Sequence, residues 1–126
     1  DFQSEHIYFK PIKLKSSGEK PLFLSEFGGY SYKVNGHSFN LDKTYGYKKF
    51  SNQEDFVKAI QTLYSNEILP AVSFGLCATV LTQVSDVEDE TNGILTFDRR
   101  VQKINKCEIK PIFDEINKAF YEKYRG

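Results

Sequence analysis

Two apolar runs flank one amphipathic stretch in the first two thirds of the chain, and this order predicts a β–α–β unit. Residues 21–26 begin at a proline and end at Glu26, as a buried strand of a parallel sheet does. Residues 76–83 form a second such run. Between the runs, four apolar residues recur at helical spacing: Phe56, Ile60, Leu63 and Tyr64. Two parallel strands joined by a helix place the chain in the α/β class.

Local signals predict where this helix begins and ends. Ser51 and Glu54 have the spacing of a capping box, so the helix should begin beside them. Pro70 disfavours helical backbone at Leu69. We therefore expect the helix to break at Leu69 and to restart for one turn before Gly75.

The remaining segments carry weaker patterns. Residues 6–14 and 93–97 read as short extended pieces, and residues 28–50 read as one long polar and aromatic loop. A second amphipathic helix is predicted over residues 109–124, where Pro111 is tolerated only within the first turn.

The composition excludes several classes of protein. A chain of 126 residues suffices for a single domain covering residues 1–126. Its 17 basic and 17 acidic residues cancel, so we expect no nucleic-acid partner. No apolar stretch approaches the roughly 20 residues that span a bilayer, and no export signal is visible, which favours a cytoplasmic location. Because the sequence lacks Met even at position 1, we expect a piece of a longer protein.

Cysteine and histidine chemistry is sparse. Cys77 and Cys107 could form at most one disulfide, and the apolar surroundings of Cys77 favour buried, free thiols. Neither His6 nor His37 has a partner at zinc-binding spacing. In the acidic run 86–93 the glycine stands eighth, whereas a calcium-binding EF-hand loop needs it sixth. The sequence therefore predicts no metal and no cofactor.

Glu26 is the strongest candidate for chemistry. It ends a predicted parallel strand, and loops leaving the carboxyl ends of such strands build the active sites of α/β proteins. The loop after the second strand leaves on the same side, so Asp86 and Glu88 are candidate substrate contacts or caps of backbone N–H groups around the site. The plainer interpretation is that Glu26 and this loop are solvated surface residues.

Tyrosines supply a second candidate surface. Four of them fall in the long segment after Glu26: Tyr30, Tyr32, Tyr45 and Tyr47. Aromatic side chains that are polar at one end suit a carbohydrate-binding surface, so a non-catalytic binding module is an alternative function.

Two motifs resemble family 2 of the glycoside hydrolases, which includes β-galactosidases and β-glucuronidases. They are SEFGGYS at residues 25–31 and TQVSDVEDETNG at residues 82–93, and the similarity continues through TFDR at 96–99. The resemblance implies the C-terminal part of a (β/α)8 TIM barrel: strands seven and eight with their helices, and the end of strand six.

The resemblance also implies site residues. Glu26 becomes the nucleophile of a retaining β-glycosidase, and Tyr8 a neighbouring tyrosine at the end of strand six. Many relatives have a tryptophan after strand eight that packs on the sugar, whereas this chain has Gln83 and no Trp. The acid/base glutamate would lie upstream of residue 1, because Asn66-Glu67 falls inside the predicted helix.

The resemblance also implies the partners of this chain. They are a carbohydrate substrate and the rest of the barrel, and the chain alone is expected to be inactive. Exposed strand edges would favour a homo-oligomer or a domain swap. The alternative is a carbohydrate-binding or structural fragment without catalysis.

Overall fold

The computed structural model describes residues 1–45 and 48–125. In chain order the elements are β1 (Gln3–Ile7), β2 (Leu22–Gly28), β3 (Tyr30–Tyr32), β4 (Lys48–Phe50), α1 (Gln53–Leu63), a π-helical turn (Tyr64–Ile68), α2 (Leu69–Val72), β5 (Leu76–Thr82) and α3 (Lys106–Tyr124). The predicted strand at residues 6–14 lies earlier, as β1.

The main sheet has the strand order β1-β2-β5, and all its strands are parallel. The predicted β–α–β unit is present, because α1 to α2 connect β2 to the parallel strand β5. The segment 28–50, expected as a loop, contributes β3 and β4, which pair in parallel as a separate two-stranded sheet.

The prediction of a partial (β/α)8 TIM barrel, with strands seven and eight and the end of strand six, is wrong. The described residues form two short open sheets of three and two strands, with helix confined to Gln53–Val72 and Lys106–Tyr124. A barrel closes eight tilted strands into one continuous sheet, which is absent from the described residues. The barrel was implied by the family resemblance, and the apolar runs could not contradict it because buried parallel strands have the same pattern in any α/β sheet.

The hydrophobic core lies between the main sheet and the helices. Leu22, Leu24 and Phe27 of β2 are fully shielded from solvent. They belong to the same cluster as Phe56 of α1, and the ring of Phe27 packs edge-on against Tyr64 at 5.5 Å. Burial raises the pKa of the Tyr64 phenol, which therefore serves as a neutral core residue.

An irregularity in β2 decides which way Glu26 faces. Strict alternation from Leu22 and Leu24 would turn the side chain of Glu26 into the core. Between Leu24 and Glu26, however, β2 has one residue more than β1, where Glu5 is followed directly by His6. This β-bulge lets Phe27 take the buried position and leaves the Glu26 side chain 46% exposed.

The first long helix differs at both ends from the prediction. Its N-cap is Asn52 rather than Ser51, and the Asn52 side chain accepts a hydrogen bond from the Asp55 N–H at 2.8 Å. Helical backbone continues past Leu69, because the π-helical turn widens the helix and Leu69 donates to the Tyr64 carbonyl. Pro70, which has no N–H, is thereby accommodated at the start of α2.

The last helix and the cysteines also correct the sequence analysis. Helix α3 begins at Lys106, so Pro111 lies inside it, beyond the first turn. A capping box does occur in this helix, between Asn105 and Glu108. Both cysteines are free thiols as predicted, but Cys77 is exposed rather than buried, because it lies on β5 at the edge of the main sheet.

Candidate functional site

Glu26 lies where β2 approaches its C-terminal end, on the side of the bulge turned away from the core. The Tyr8 hydroxyl donates a hydrogen bond to Glu26 Oε2 at 3.0 Å. Tyr8 directly follows β1, and the β1 residue His6 is paired with Glu26. The structure therefore brings Tyr8 and Glu26 together, the two residues for which the resemblance implied a shared site.

The same Tyr8 hydroxyl is hydrogen-bonded to Thr82 Oγ1 at 2.9 Å. Thr82 is the last residue of β5, on the other side of β2 from β1. The phenol of Tyr8 thus joins the C-terminal ends of all three strands beside the carboxylate. The sequence analysis did not name Thr82 as a site residue, although it ends the second apolar run and begins the TQVSDVEDETNG motif.

His6 makes a second contact with the Glu26 carboxylate. Its Nδ1 lies 3.5 Å from Glu26 Oε2, and 57% of its side chain is exposed. Both Tyr8 and His6 thus approach Oε2. Of the two carboxylate oxygens, Oε1 is the one that neither of these described neighbours contacts.

Ser25 stabilises the bulge that presents Glu26. Its hydroxyl donates to the Glu5 carbonyl at 3.2 Å and lies 2.6 Å from Ser4 Oγ. Glu5 is the residue at which the pairing of β1 with β2 shifts. A hydroxyl at position 25 therefore supplies a hydrogen bond where the regular pairing of the strands is interrupted.

Tyr30 packs against residues of β4. Its ring packs against Phe50 at 5.7 Å, and the Lys48 ammonium lies 5.8 Å from the ring centre. Burial, assisted by the nearby Glu67 charge, raises the pKa of its phenol. A role for Tyr30 in substrate binding stays a prediction.

The other loop tyrosines divide into two groups. Tyr32 packs against Phe56 of the core at 5.8 Å, whereas Tyr45 is 67% exposed. Tyr47 lies outside the described residues. Of the predicted tyrosine surface, the structure therefore places Tyr45 in contact with solvent.

Gln83 follows Thr82 and ties the next loop to the strand end. Its side-chain amide donates to Asn92 Oδ1 at 2.9 Å and to Glu90 Oε2 at 3.2 Å. Its backbone N–H donates to the Asn92 carbonyl at 3.1 Å, and its own carbonyl accepts from Ile94. These bonds support the loop 84–93 beside the site, while a direct contact of Gln83 with a sugar stays a prediction.

Asp86 holds this loop from inside. Its carboxylate accepts from Lys103 Nζ at 2.6 Å and from the Gly93 N–H at 2.8 Å, and its side chain is 1% exposed. Burial raises the pKa of Asp86, against the opposing effect of the Lys103 ammonium. The structure thus accounts for Asp86 as a support of the loop, in which it caps the Gly93 N–H and pairs with Lys103.

Glu88 is at the tip of the same loop. Reciprocal hydrogen bonds between Val87 and Glu90, at 2.9 and 3.0 Å, close a tight turn around it. Its φ of 51° lies in the left-handed region, which is costly for a residue with a side chain. Glu88 is solvent-exposed, as the plainer interpretation of the acidic run expected.

A second histidine–carboxylate pair joins two loops near this end of the sheet. His37 Nδ1 lies 2.8 Å from Asp98 Oδ2, and Thr96 donates to Asp98 Oδ1 at 2.6 Å. These two hydrogen bonds, together with one from the Arg100 N–H, hold the pKa of Asp98 below its usual range. The pairing connects the loop after β3 to the TFDR motif. Thr96 and Asp98 of this motif therefore have a structural role.

Within residues 1–45 and 48–125, no group of three or more histidine, cysteine, aspartate or glutamate residues is placed to hold a metal ion. Among the same residues, no helix is both long and apolar enough to cross a membrane.

No protein-family model matches the sequence, and a comparison with curated proteins finds no significant match. The resemblance to family 2 glycoside hydrolases therefore stays a prediction from the motifs at residues 25–31 and 82–99.

Proposed function

We propose that this chain contributes the nucleophile of a retaining β-glycosidase of the β-galactosidase type, and that the nucleophile is Glu26. The observation that carries the proposal is the arrangement of the carboxylate. Glu26 lies at the C-terminal end of a parallel strand, is half-exposed, and accepts a hydrogen bond from Tyr8 on Oε2. Such ends of α/β sheets are where ligands and catalytic residues gather.

The proposed mechanism needs a carboxylate with one oxygen fixed by hydrogen bonds and the other oxygen accessible for attack. In a retaining mechanism the ionised carboxylate attacks the anomeric carbon and forms a glycosyl ester, which water then hydrolyses. Tyr8 and His6 approach Oε2, so Oε1 is the oxygen placed to attack. The phenol donor holds the carboxylate in one orientation, which reduces the reorganisation needed for attack.

The second carboxylate of the proposed mechanism comes from outside this chain. A retaining glycosidase requires an acid/base residue about 5 to 5.5 Å from the nucleophile. We place that glutamate in a segment upstream of residue 1, so the chain alone is expected to lack turnover. The carbohydrate substrate and the remainder of the catalytic domain are the partners that this proposal implies.

Covalent trapping tests the assignment. A 2-deoxy-2-fluoroglycoside forms a long-lived ester with the nucleophile of a retaining glycosidase, and peptide mass spectrometry then identifies the labelled residue. Applied to the protein that contains both carboxylates, the reagent should label Glu26. The variant Glu26→Gln should show neither label nor turnover.

Glu19→Gln provides the matched control. Glu19 is an exposed carboxylate in the turn before β2, so its replacement should leave labelling and turnover unchanged. Labelling of a residue other than Glu26, or turnover by Glu26→Gln, would refute the proposal.

The exposed aromatic residues favour a second candidate, carbohydrate binding without catalysis. Tyr45 is 67% and Phe39 58% exposed, and the ring of Phe39 meets that of Phe97 at 6.0 Å. Aromatic rings exposed on loops are common contacts for sugar rings because one face of a sugar is apolar.

Calorimetry separates the two candidates. A binding module predicts that the isolated chain binds soluble oligosaccharides, that Glu26→Gln binds equally well, and that Tyr45→Ala loses binding. The glycosidase proposal predicts weak or no binding by the isolated chain, because half of the site is missing.

A further inference from the structure

We propose that Thr82 is a positioning residue for the Glu26 carboxylate and that it acts through the Tyr8 hydroxyl. Its importance for catalysis rests on the proposed function, whereas its effect on the orientation of the carboxylate does not. The inference comes from one hydroxyl group with two partners: Tyr8 lies 3.0 Å from Glu26 Oε2 and 2.9 Å from Thr82 Oγ1.

The numbers of protons and lone pairs determine how the three groups cooperate. An ionised carboxylate can only accept, so Glu26 takes the single phenolic proton of Tyr8. The Tyr8 hydroxyl also has the geometry of a donor toward Thr82 Oγ1, but Glu26 takes its one proton, so we infer that the Thr82 hydroxyl supplies the proton of that bond. A donor that itself accepts a hydrogen bond is polarised and becomes a stronger donor, so Thr82 strengthens the bond between Tyr8 and Glu26.

The position of Thr82 in the sheet gives this contact its geometric effect. Tyr8 follows an edge strand, β1, and its side chain extends past the end of β2 to reach β5. Thr82 is fixed by its place as the last residue of β5 and by the hydrogen bond from the Gly29 N–H to its carbonyl, at 3.1 Å. The Tyr8 side chain is therefore anchored by its own strand, β1, on one side of β2 and by Thr82 of β5 on the other side.

When the Glu26 oxygen attacks, the negative charge of the carboxylate falls. The Tyr8 proton can then turn toward Thr82 Oγ1, which is an acceptor at the same distance. Thr82 thus provides a partner for Tyr8 in both charge states of Glu26. A hydroxyl at position 82 is the property that matters, so serine should replace threonine and valine should not.

Nuclear magnetic resonance of the chain tests the inference without substrate. The probes are the ¹³Cζ signal of Tyr8 and the ¹³Cδ signal of Glu26, which respond to hydrogen bonding. We expect Thr82→Val to shift both signals by more than their line widths, and Thr82→Ser to leave both near their wild-type positions. Thr82→Ala serves as the hydroxyl-free variant if Thr82→Val does not fold.

A variant at Tyr8 distinguishes positioning from a general structural effect. In a Tyr8→Phe background the path from Thr82 to Glu26 is cut, so Thr82→Val should no longer move the Glu26 signal. Persistence of the shift in that background overturns the inference. So does a Thr82→Ser variant that behaves like Thr82→Val, or a Thr82→Val variant in which neither signal moves.

Trapping kinetics connect the inference to the proposed function. In the protein that contains both carboxylates, Thr82→Val should slow labelling by the 2-fluoroglycoside roughly 10- to 100-fold, the loss typical of a slightly misplaced catalytic group. If the wild type is not labelled, the glycosidase proposal is refuted. The NMR experiment alone then decides whether Thr82 positions the Glu26 carboxylate. Normal labelling in Thr82→Val would show that Thr82 has no catalytic part.

Discussion

The Lys103 ammonium lies 2.6 Å from the Asp86 carboxylate, and the two side chains are 0% and 1% exposed. Lys103 also donates to the Thr91 carbonyl at 2.9 Å, and its ammonium lies 5.9 Å from the centre of the Phe56 ring. One buried cation therefore connects the loop after β5 to the hydrophobic core. Because a buried pair that loses one member leaves an unpaired charge, this contact makes a sharp prediction.

Lys103→Met should destabilise the chain by about 3 to 5 kcal/mol, because Asp86 would remain buried without its cation. Urea unfolding measures the change. The double variant Asp86→Asn/Lys103→Met removes both charges and should lose less stability than Lys103→Met alone. If the single variant costs under about 1 kcal/mol, the pair is not a support of this loop.

Gly93→Ala should be among the most damaging small substitutions in the chain. A Cβ at position 93 would overlap the Asp86 nitrogen and the Ser85 carbonyl carbon, and both are backbone atoms that cannot move aside cheaply. We expect a loss of more than about 3 kcal/mol in thermal or urea unfolding.

Gly36→Ala is the matched control for Gly93. Gly36 has a φ of +76°, but a Cβ there meets nothing within 4 Å, so the cost should be limited to backbone strain of about 1 kcal/mol. Equal costs at the two positions would contradict the close approach at Gly93.

Asn52→Ala should cost about 1 kcal/mol, because the Asn52 side chain accepts a hydrogen bond from the otherwise unpaired Asp55 N–H. Ser51→Ala should change the free energy of unfolding by less than about 0.5 kcal/mol. The two substitutions lie at adjacent positions. Comparing them tests whether the helix is capped by Asn52, as in the structure, or by Ser51, as the sequence predicts. The reverse order of effects would favour Ser51.

Acid should weaken the fold through Asp98. Its pKa lies below the usual 3.8, owing to hydrogen bonds from Thr96 and His37. A carboxyl group with a lowered pKa in the folded state stabilises the fold above its unfolded pKa, and this contribution is lost as the pH falls through the lowered value. We expect stability to decline below about pH 4 and expect Asp98→Asn to make that decline shallower.

Asp114→Asn provides the comparison for the acid experiment. Asp114 pairs with Lys110 on the surface of α3 and is 59% exposed, so its replacement should leave the slope of unfolding free energy against pH unchanged. A slope that responds equally to both variants would show that the contact between Asp98 and His37 has no special effect.

Local patterns predicted the local parts of the structure. The spacing of Phe56, Ile60 and Leu63 predicted the buried stripe of α1, and all three are buried. The apolar run at residues 76–83 predicted a buried strand, and β5 spans Leu76–Thr82, but within it only Leu76 is buried. In both cases a few neighbouring residues determine the type of element, whereas the burial of β5 depends on which elements cover it.

Long-range pairings escaped the sequence analysis. Lys103 and Asp86 are 17 positions apart, and Tyr8 and Thr82 are 74 positions apart, so no spacing rule connects them. Asp86, in the acidic run 86–93, is predicted to contact substrate because that run leaves the second strand on the same side as Glu26. The structure buries one member of that run, and only the folded chain shows that Lys103 supplies its counter-charge.

The bulge at Ser25 places two outward-facing residues, Ser25 and Glu26, between core residues of β2 on either side. Leu22 and Leu24 hold the strand in the core, whereas Ser25 and Glu26 face the opposite side, although fewer than five positions separate the two sets. Stability and reactivity can therefore change independently within one strand of seven residues. Deleting Ser25 would remove the extra residue and restore strict alternation, with Glu26 still facing outward and Phe27 still facing the core.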